Sequence, residues 1–179
     1  MRYVALLRAV NLGAKRKVPM AELRALMTEE LGFEDVVTLV QSGNVVFSAP
    51  RTSAAELGRR IGDALENRYG FEVPTMIRTA PQLARVIDAN PFPELAEDRT
   101  KVHVAFADGP TKASMLTEVD RSQFAPEDFH VGRDEVYLAY PNGAGRAKMN
   151  VPFEKLLGVR LTARNWNTVL KLADLLSGP

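Results

Sequence analysis

The order of patterned segments constrains this chain most: within residues 1–78, strand-like and helix-like runs follow one another as strand, helix, strand, strand, helix, strand. Tyr3 to Val10 is an aliphatic run closed by Asn11 and Gly13, which suits a central strand better than a short helix. Pro19 fits the first position of a helix, and Met20, Leu23, Leu26, Met27 and Leu31 then recur at three- and four-residue spacing until Gly32. Val36 to Val40 and Asn44 to Ser48, around Gln41, Ser42 and Gly43, read as a hairpin. Ser53 and Glu56 predict a capping box opening a helix with Leu57, Ile61 and Leu65 on one face, and Val73 to Ile77 is the next strand. Right-handed crossovers put both helices of such a unit on one face of an antiparallel sheet.

Thr79 and Gln82 open a further helix with Leu83, Val86 and Ile87, and Asn90 to Pro93 then breaks the pattern. The order repeats more loosely afterwards. Strands are expected at Val102–Ala107, Asp128–Val131, Glu135–Tyr140 and Arg160–Thr162, and helices at Thr111–Val119 and Val151–Leu157. A last helix from Asn165 to about Leu176 places Trp166, Val169, Leu170, Ala173 and Leu176 on one face. The expected fold is therefore α+β: two βαββαβ halves, helices packed on antiparallel sheets, and a C-terminal helix. The halves are expected at residues 1–90 and 99–179, with 91–98 as linker.

Composition narrows the function classes. The 179 residues, 46% hydrophobic, can build one large core or two smaller ones. Lys plus Arg number 23 against 22 Asp plus Glu, so a net charge of +1 gives no global pull toward nucleic acid, and any anion site must be local. With no cysteine there is no disulfide, thiolate nucleophile or thiolate metal site, which suits a cytoplasmic address. The first apolar run is interrupted by Arg8 and followed by Lys15, Arg16 and Lys17, and no window approaches the length of a membrane span, so a membrane partner is not expected.

Catalytic constellations are scarce. The two histidines, His103 and His130, sit in no metal-ligand spacing, there is no G-x-S-x-G elbow, and neither a metal nor a cofactor is expected. Adjacent acids such as Glu29 and Glu30, Glu97 and Asp98, or Glu127 and Asp128 read as solvated surface. Three loop segments stand out instead. In Asn11-Leu12-Gly13-Ala14-Lys15-Arg16-Lys17 a glycine, three cations and a following helix start suit a phosphate or carboxylate; the same residues also suit a plain basic turn. Asn142 to Asn150 joins two glycines to Arg146, Lys148 and Asn150 ahead of a helix, which fits an oxyanion clamp or a Gly turn with Asn150 as N-cap. Thr162 to Thr168 combines helix-capping residues with Trp166 as an anchor, and adds donors to a pocket if Arg164 and Asn167 point outward. The aromatics on which RNA-recognition sheets stack bases are almost wholly missing, Phe47 alone reading as core, so a nucleic-acid partner has little support.

VALLRAVNLG with KVPMAELR, then LVQSGNVVF, GRAKMN and TARNWNTVLKLADL, in that order, closely resemble the bacterial domain-of-unknown-function family sixteen-ninety-seven. The resemblance spans nearly the whole chain, implies two ferredoxin-like halves, and implies no established activity. Its matching motif positions include Ser42, Gly43 and Asn44 on the hairpin and Arg164, Asn165, Trp166 and Asn167 near the end. Residues and resemblance together nominate Arg8, Asn11, Gly13, Lys15, Lys17, Ser42, Asn44, Arg146, Lys148, Asn150, Arg164, Asn165 and Asn167 as ligand-binding. The expectation is a small anionic or phosphate-bearing ligand, nucleotides included, held where the basic loop and the Gly-Arg-Lys segment meet. An enzyme with an Arg, Lys and Asn site and an oligomerising or partner-binding module are the alternatives.

Overall fold

A computed structural model describes residues 1–178, apart from the Met115 side chain. Strands β1 (Arg2–Leu7), β2 (Glu34–Leu39), β3 (Asn44–Ser48) and β4 (Thr75–Thr79) form an antiparallel sheet in the order β2-β3-β1-β4. The aliphatic run of β1 is central, in register with Phe47 and Thr79 at Tyr3 and with Val45 and Ile77 at Ala5. Helix α1 (Met20–Ala25) runs on into a π turn at Leu26–Glu30, where Leu31 N donates to Leu26 O at 3.1 Å and both Leu26 and Met27 stay buried. Helix α2 (Ala54–Tyr69) begins as expected with Ser53 Oγ accepting from Glu56 N at 3.2 Å and ends at Gly70 in the left-handed conformation. Only half of the capping box forms, because the Glu56 carboxylate pairs with Arg59.

Tyr3, Ala5, Leu7, Val45 and Phe47 face the helices and meet Leu23, Leu26, Leu57, Ile61 and Leu65 in one core. Each large side chain withdrawn from water there contributes roughly 1.5–3 kcal/mol. The opposite face of the sheet is buried as well, through Val4, Leu6, Val46 and Met76. That leaves room for two polar side chains in the interior of the sheet, Asn44 and Arg78.

Helix α3 (Ala80–Asp88) follows, and a second sheet then repeats the first: β5 (Val102–Ala107), β6 (Asp128–Val131), β7 (Glu135–Ala139) and β8 (Leu161–Asn165), ordered β6-β7-β5-β8. Helices α4 (Phe153–Leu157) and α5 (Trp166–Ser177) complete the chain. The fold is α+β, with two ferredoxin-like four-stranded antiparallel sheets, helices packed on them, and a C-terminal helix. One expected element is absent: residues 111–119 do not form an α-helix. Two 3-10 turns, Ala113–Leu116 and Arg121–Phe124, stand there instead. Thr111 is tied to the β6–β7 turn, its N donating to Arg133 O and its hydroxyl to Gly132 O at 2.6 Å, and Asp120 caps the second turn through Ser122 N at 3.0 Å. The distant tie of Thr111 and the local Asp120 cap both compete with a continuous helical ladder.

The chain divides into two compact units, one of Met1–Ala84 with the chain from Leu172 onward, the other of Arg85–Lys171; the divisions fall inside α3 and α5. Among the described residues no helix is long and apolar enough to cross a membrane.

Candidate functional site

In the first unit the nominated residues gather where β1 leaves the sheet. Ala9, Asn11, Gly13 and Arg16 all have positive φ, at 56°, 57°, 73° and 59°, so residues 8–18 are wound into a tight loop. Asn11 holds it closed. Its Oδ1 accepts from Val18 N at 2.9 Å, and its Nδ2 donates to Val18 O at 2.9 Å and to Gln41 O at 2.7 Å, which ties the loop to the β2–β3 turn. Arg16 is also committed, donating to Ala9 O at 3.1 Å and to Glu72 O with its guanidinium over Phe71. Within the turn, buried Asn44 donates to Leu39 O and Ser42 Oγ, both at 3.0 Å, and half-exposed Arg8 lies at the strand end. Lys15 and Lys17 alone among the loop's cations stand in solvent with no partner among the described residues, beside exposed Gly13. The loop's charge is therefore split between a brace and two free ammonium groups.

The second unit places its nominated residues differently. Arg164 is 7% exposed on β8, donating to Thr162 Oγ1 and to Ala163 O at 2.8 Å, and burial pulls its guanidinium down to about 10. It remains charged at neutral pH and points inward. Asn165 Oδ1 accepts from Thr168 N at 2.9 Å and caps the first turn of α5, where Trp166 is buried; half-buried Asn167 donates its backbone N–H to Arg99 O. Arg146, Lys148 and Asn150 are exposed on the loop before α4. Asn150 does not cap that helix: the cap position is Pro152, with no side-chain bond. Lys148 and Asn150 instead line an open cleft of about 340 Å³. Val119, Phe124, Val151 and Pro152 form its apolar wall, and Asp120 and Gln123 complete its polar side.

The family described as Protein of unknown function (DUF1697) matches residues 1–137. The chain belongs to that family. The match ends within β7, so it covers the Arg8–Lys17 loop and the Ser42–Asn44 turn but stops short of Arg146, whereas the motif resemblance ran through to α5. No curated protein matches the chain. Among solved structures it is similar to the conserved bacterial protein SP0830 from Streptococcus pneumoniae, with 23% identity, 98% of each chain covered and a TM-score of 0.76. At that identity the likeness establishes the fold alone.

What fixes the cleft loop of this DUF1697 protein is a residue that sequence reasoning assigned to the surface. Glu127 is 7% exposed, and its carboxylate accepts from Lys148 N at 2.8 and 3.0 Å and from Met149 N at 2.6 Å. The backbone at 148–149 is thereby pinned while the Lys148 and Asn150 side chains make no bond among the described residues. Chemically, this is a fixed frame presenting one ammonium and one amide to solvent. A second buried acid, Glu135, takes both guanidinium arms of Arg85 at 3.0 and 2.9 Å; this pair raises the Arg85 pKa further and serves the sheet, away from the cleft lining. His103 lies edge-on to Tyr140 at 5.3 Å, with Nδ1 buried and unbonded, and burial lowers its pKa. Among the described residues no group of three or more His, Cys, Asp and Glu could hold a metal ion.

Proposed function

We propose that this DUF1697 protein binds a small anionic, phosphate-bearing ligand through the Lys148–Asn150 segment of its second unit. The observation that carries the reading is that a cleft of about 340 Å³ is lined by two motif residues with uncommitted side chains on a loop pinned by Glu127. Ligand clefts of small molecules begin near this size, and a preformed frame removes much of the ordering cost of binding. Arg146, exposed two residues before Lys148, is a second cation on the same loop, outside the cleft lining. Lys15 and Lys17 offer the same chemistry on the first unit, where exposure to solvent leaves their attraction screened by salt.

Thermal-shift measurements at low salt against nucleotides and phosphorylated metabolites test it. A ligand at a hundred times its Kd stabilises the native state by about 2.7 kcal/mol, and Lys148→Ala should remove most of that gain. Stabilisation by none of these anions would overturn the reading.

A partner-binding or self-pairing reading is favoured by one further observation. Leu12, Val37 and Val40 are 71%, 41% and 55% exposed in the first unit, and β2 ends its sheet. If they form a contact surface, light scattering should give a concentration-dependent mass that Val37→Glu abolishes; a strict monomer at high concentration would exclude self-pairing.

A further inference from the structure

We infer that the cleft of the second unit selects an organic anion of mixed character, a phosphate carried on a ring or sugar body with its own hydrogen-bond donors, over a bare inorganic anion. This rests on the anion reading above and adds the ligand's class. Size is the first argument. A cleft of about 340 Å³ lies in the range of pockets that hold small organic ligands, and an inorganic phosphate at Lys148 would leave part of it to solvent.

The second argument is the wall. Four of the eight lining residues are apolar, Val119, Phe124, Val151 and Pro152, and a bare dianion gains nothing from them. A planar or sugar ring does, at roughly 25 cal/mol per Å² of apolar surface removed from water.

The third argument is Asp120. Its Oδ1 accepts from Ser122 N at 3.0 Å and Ser122 Oγ at 2.7 Å, and its Oδ2 from Gln123 Nε2 at 3.3 Å. These bonds hold the carboxyl below its usual range, so it is ionised at neutral pH. A carboxylate and a lysine in one cleft make it bipolar. An inorganic anion drawn to Lys148 meets the like charge of Asp120, whereas a hydroxyl or amino group on the ligand donates to that carboxylate. Asn150, which has no bond of its own among the described residues, can donate to an anion or accept from a ring edge.

Titration calorimetry with inorganic phosphate, adenosine and adenosine 5′-monophosphate separates the possibilities. The expected result is that the nucleotide binds at least tenfold more tightly than either fragment, and that Lys148→Ala removes its advantage over adenosine. Asp120→Asn and Asp120→Ser keep a residue competent to cap the turn and remove the charge. Both should tighten inorganic phosphate and weaken the nucleotide, so that the gap between them closes by about tenfold. Equal affinity of phosphate and nucleotide, unchanged in the Asp120 variants, would overturn the mixed-ligand inference while leaving an anion site standing. Binding of neither anion, or of adenosine as tightly as its phosphate, would overturn the anion reading itself.

Discussion

Glu127 has the shape of a capping residue transplanted into a loop: a buried carboxylate that takes up two backbone N–H groups twenty-one and twenty-two residues away in sequence. Glu127→Gln keeps the size but replaces one oxygen with an NH2 and removes the charge, so Lys148 N loses one of its two acceptors and the remaining bonds are no longer charge-assisted. Bonds to a charged group contribute about 1.5–3 kcal/mol, and the variant should lose roughly that much unfolding free energy in a urea titration. An unchanged midpoint would mean that the loop is held by something other than this carboxylate. His103 makes a pH prediction. Its folded pKa lies below the ordinary 6.5 because burial disfavours the imidazolium. Above that value the ring is neutral in both states; as pH falls through it, the unfolded chain takes up the proton first, so stability is lost progressively down to the folded pKa. Thermal midpoints of His103→Gln should therefore fall less steeply than those of the parent below about pH 6.5. Parallel curves would sink that assignment.

Two glycines with almost the same φ test how an element depends on its surroundings. Gly13 at 73° has nothing within 4 Å of the position a Cβ would occupy, whereas at Gly43, φ 74°, that atom would stand 2.6 Å from Val10 Cγ2 and 2.7 Å from Leu7 Cβ. Gly13→Ala should cost about 1–2 kcal/mol for the left-handed backbone alone. Gly43→Ala adds overpacking of about 1–3 kcal/mol where the β2–β3 turn meets the end of β1, and equal losses in chemical denaturation would contradict this packing. Elements of this kind were legible in sequence where one signal acted alone. The aliphatic run of β1, the Ser53 cap and the face formed by Leu57, Ile61 and Leu65 each depend on residues within a few positions. Residues 111–119 read as helix from their place in the repeated element order, while the bonds that break the helix run from Thr111 to Gly132 and Arg133. Glu127 was illegible for the same reason: its partners are distant backbone groups, which no side-chain pattern encodes. Lys148 and Asn150 stood out as a motif, but only packing could add Asp120, Gln123 and the apolar wall to them.

The two sheets share one strand order, and each carries a buried arginine on its last strand, Arg78 on β4 and Arg164 on β8, donating to the carbonyl of the residue before it. What differs between the two units is the covering layer. In the first, α1 and its π turn lay Met20, Leu23, Leu26 and Met27 over the sheet; in the second, the corresponding segment is two 3-10 turns, and Leu116 and Phe124 do the covering. Four of the eight cleft-lining residues, Val119, Asp120, Gln123 and Phe124, come from this segment, so the opening exists where a helix of the first unit has no counterpart. A layer with few internal backbone bonds opens at low free energy, while a central strand bonded on both edges opens only with its sheet. Hydrogen exchange should accordingly find the amides of residues 113–124 and 144–147 among the fastest in the chain, and those of β1, β5 and α2 among the slowest. Addition of adenosine 5′-monophosphate should slow exchange at 113–124 and 148–152 together, because one ligand in the cleft touches both segments. Protection confined to one of them would place the ligand elsewhere, and exchange in α2 as fast as in 113–124 would refute the link drawn between the missing helix and the cleft.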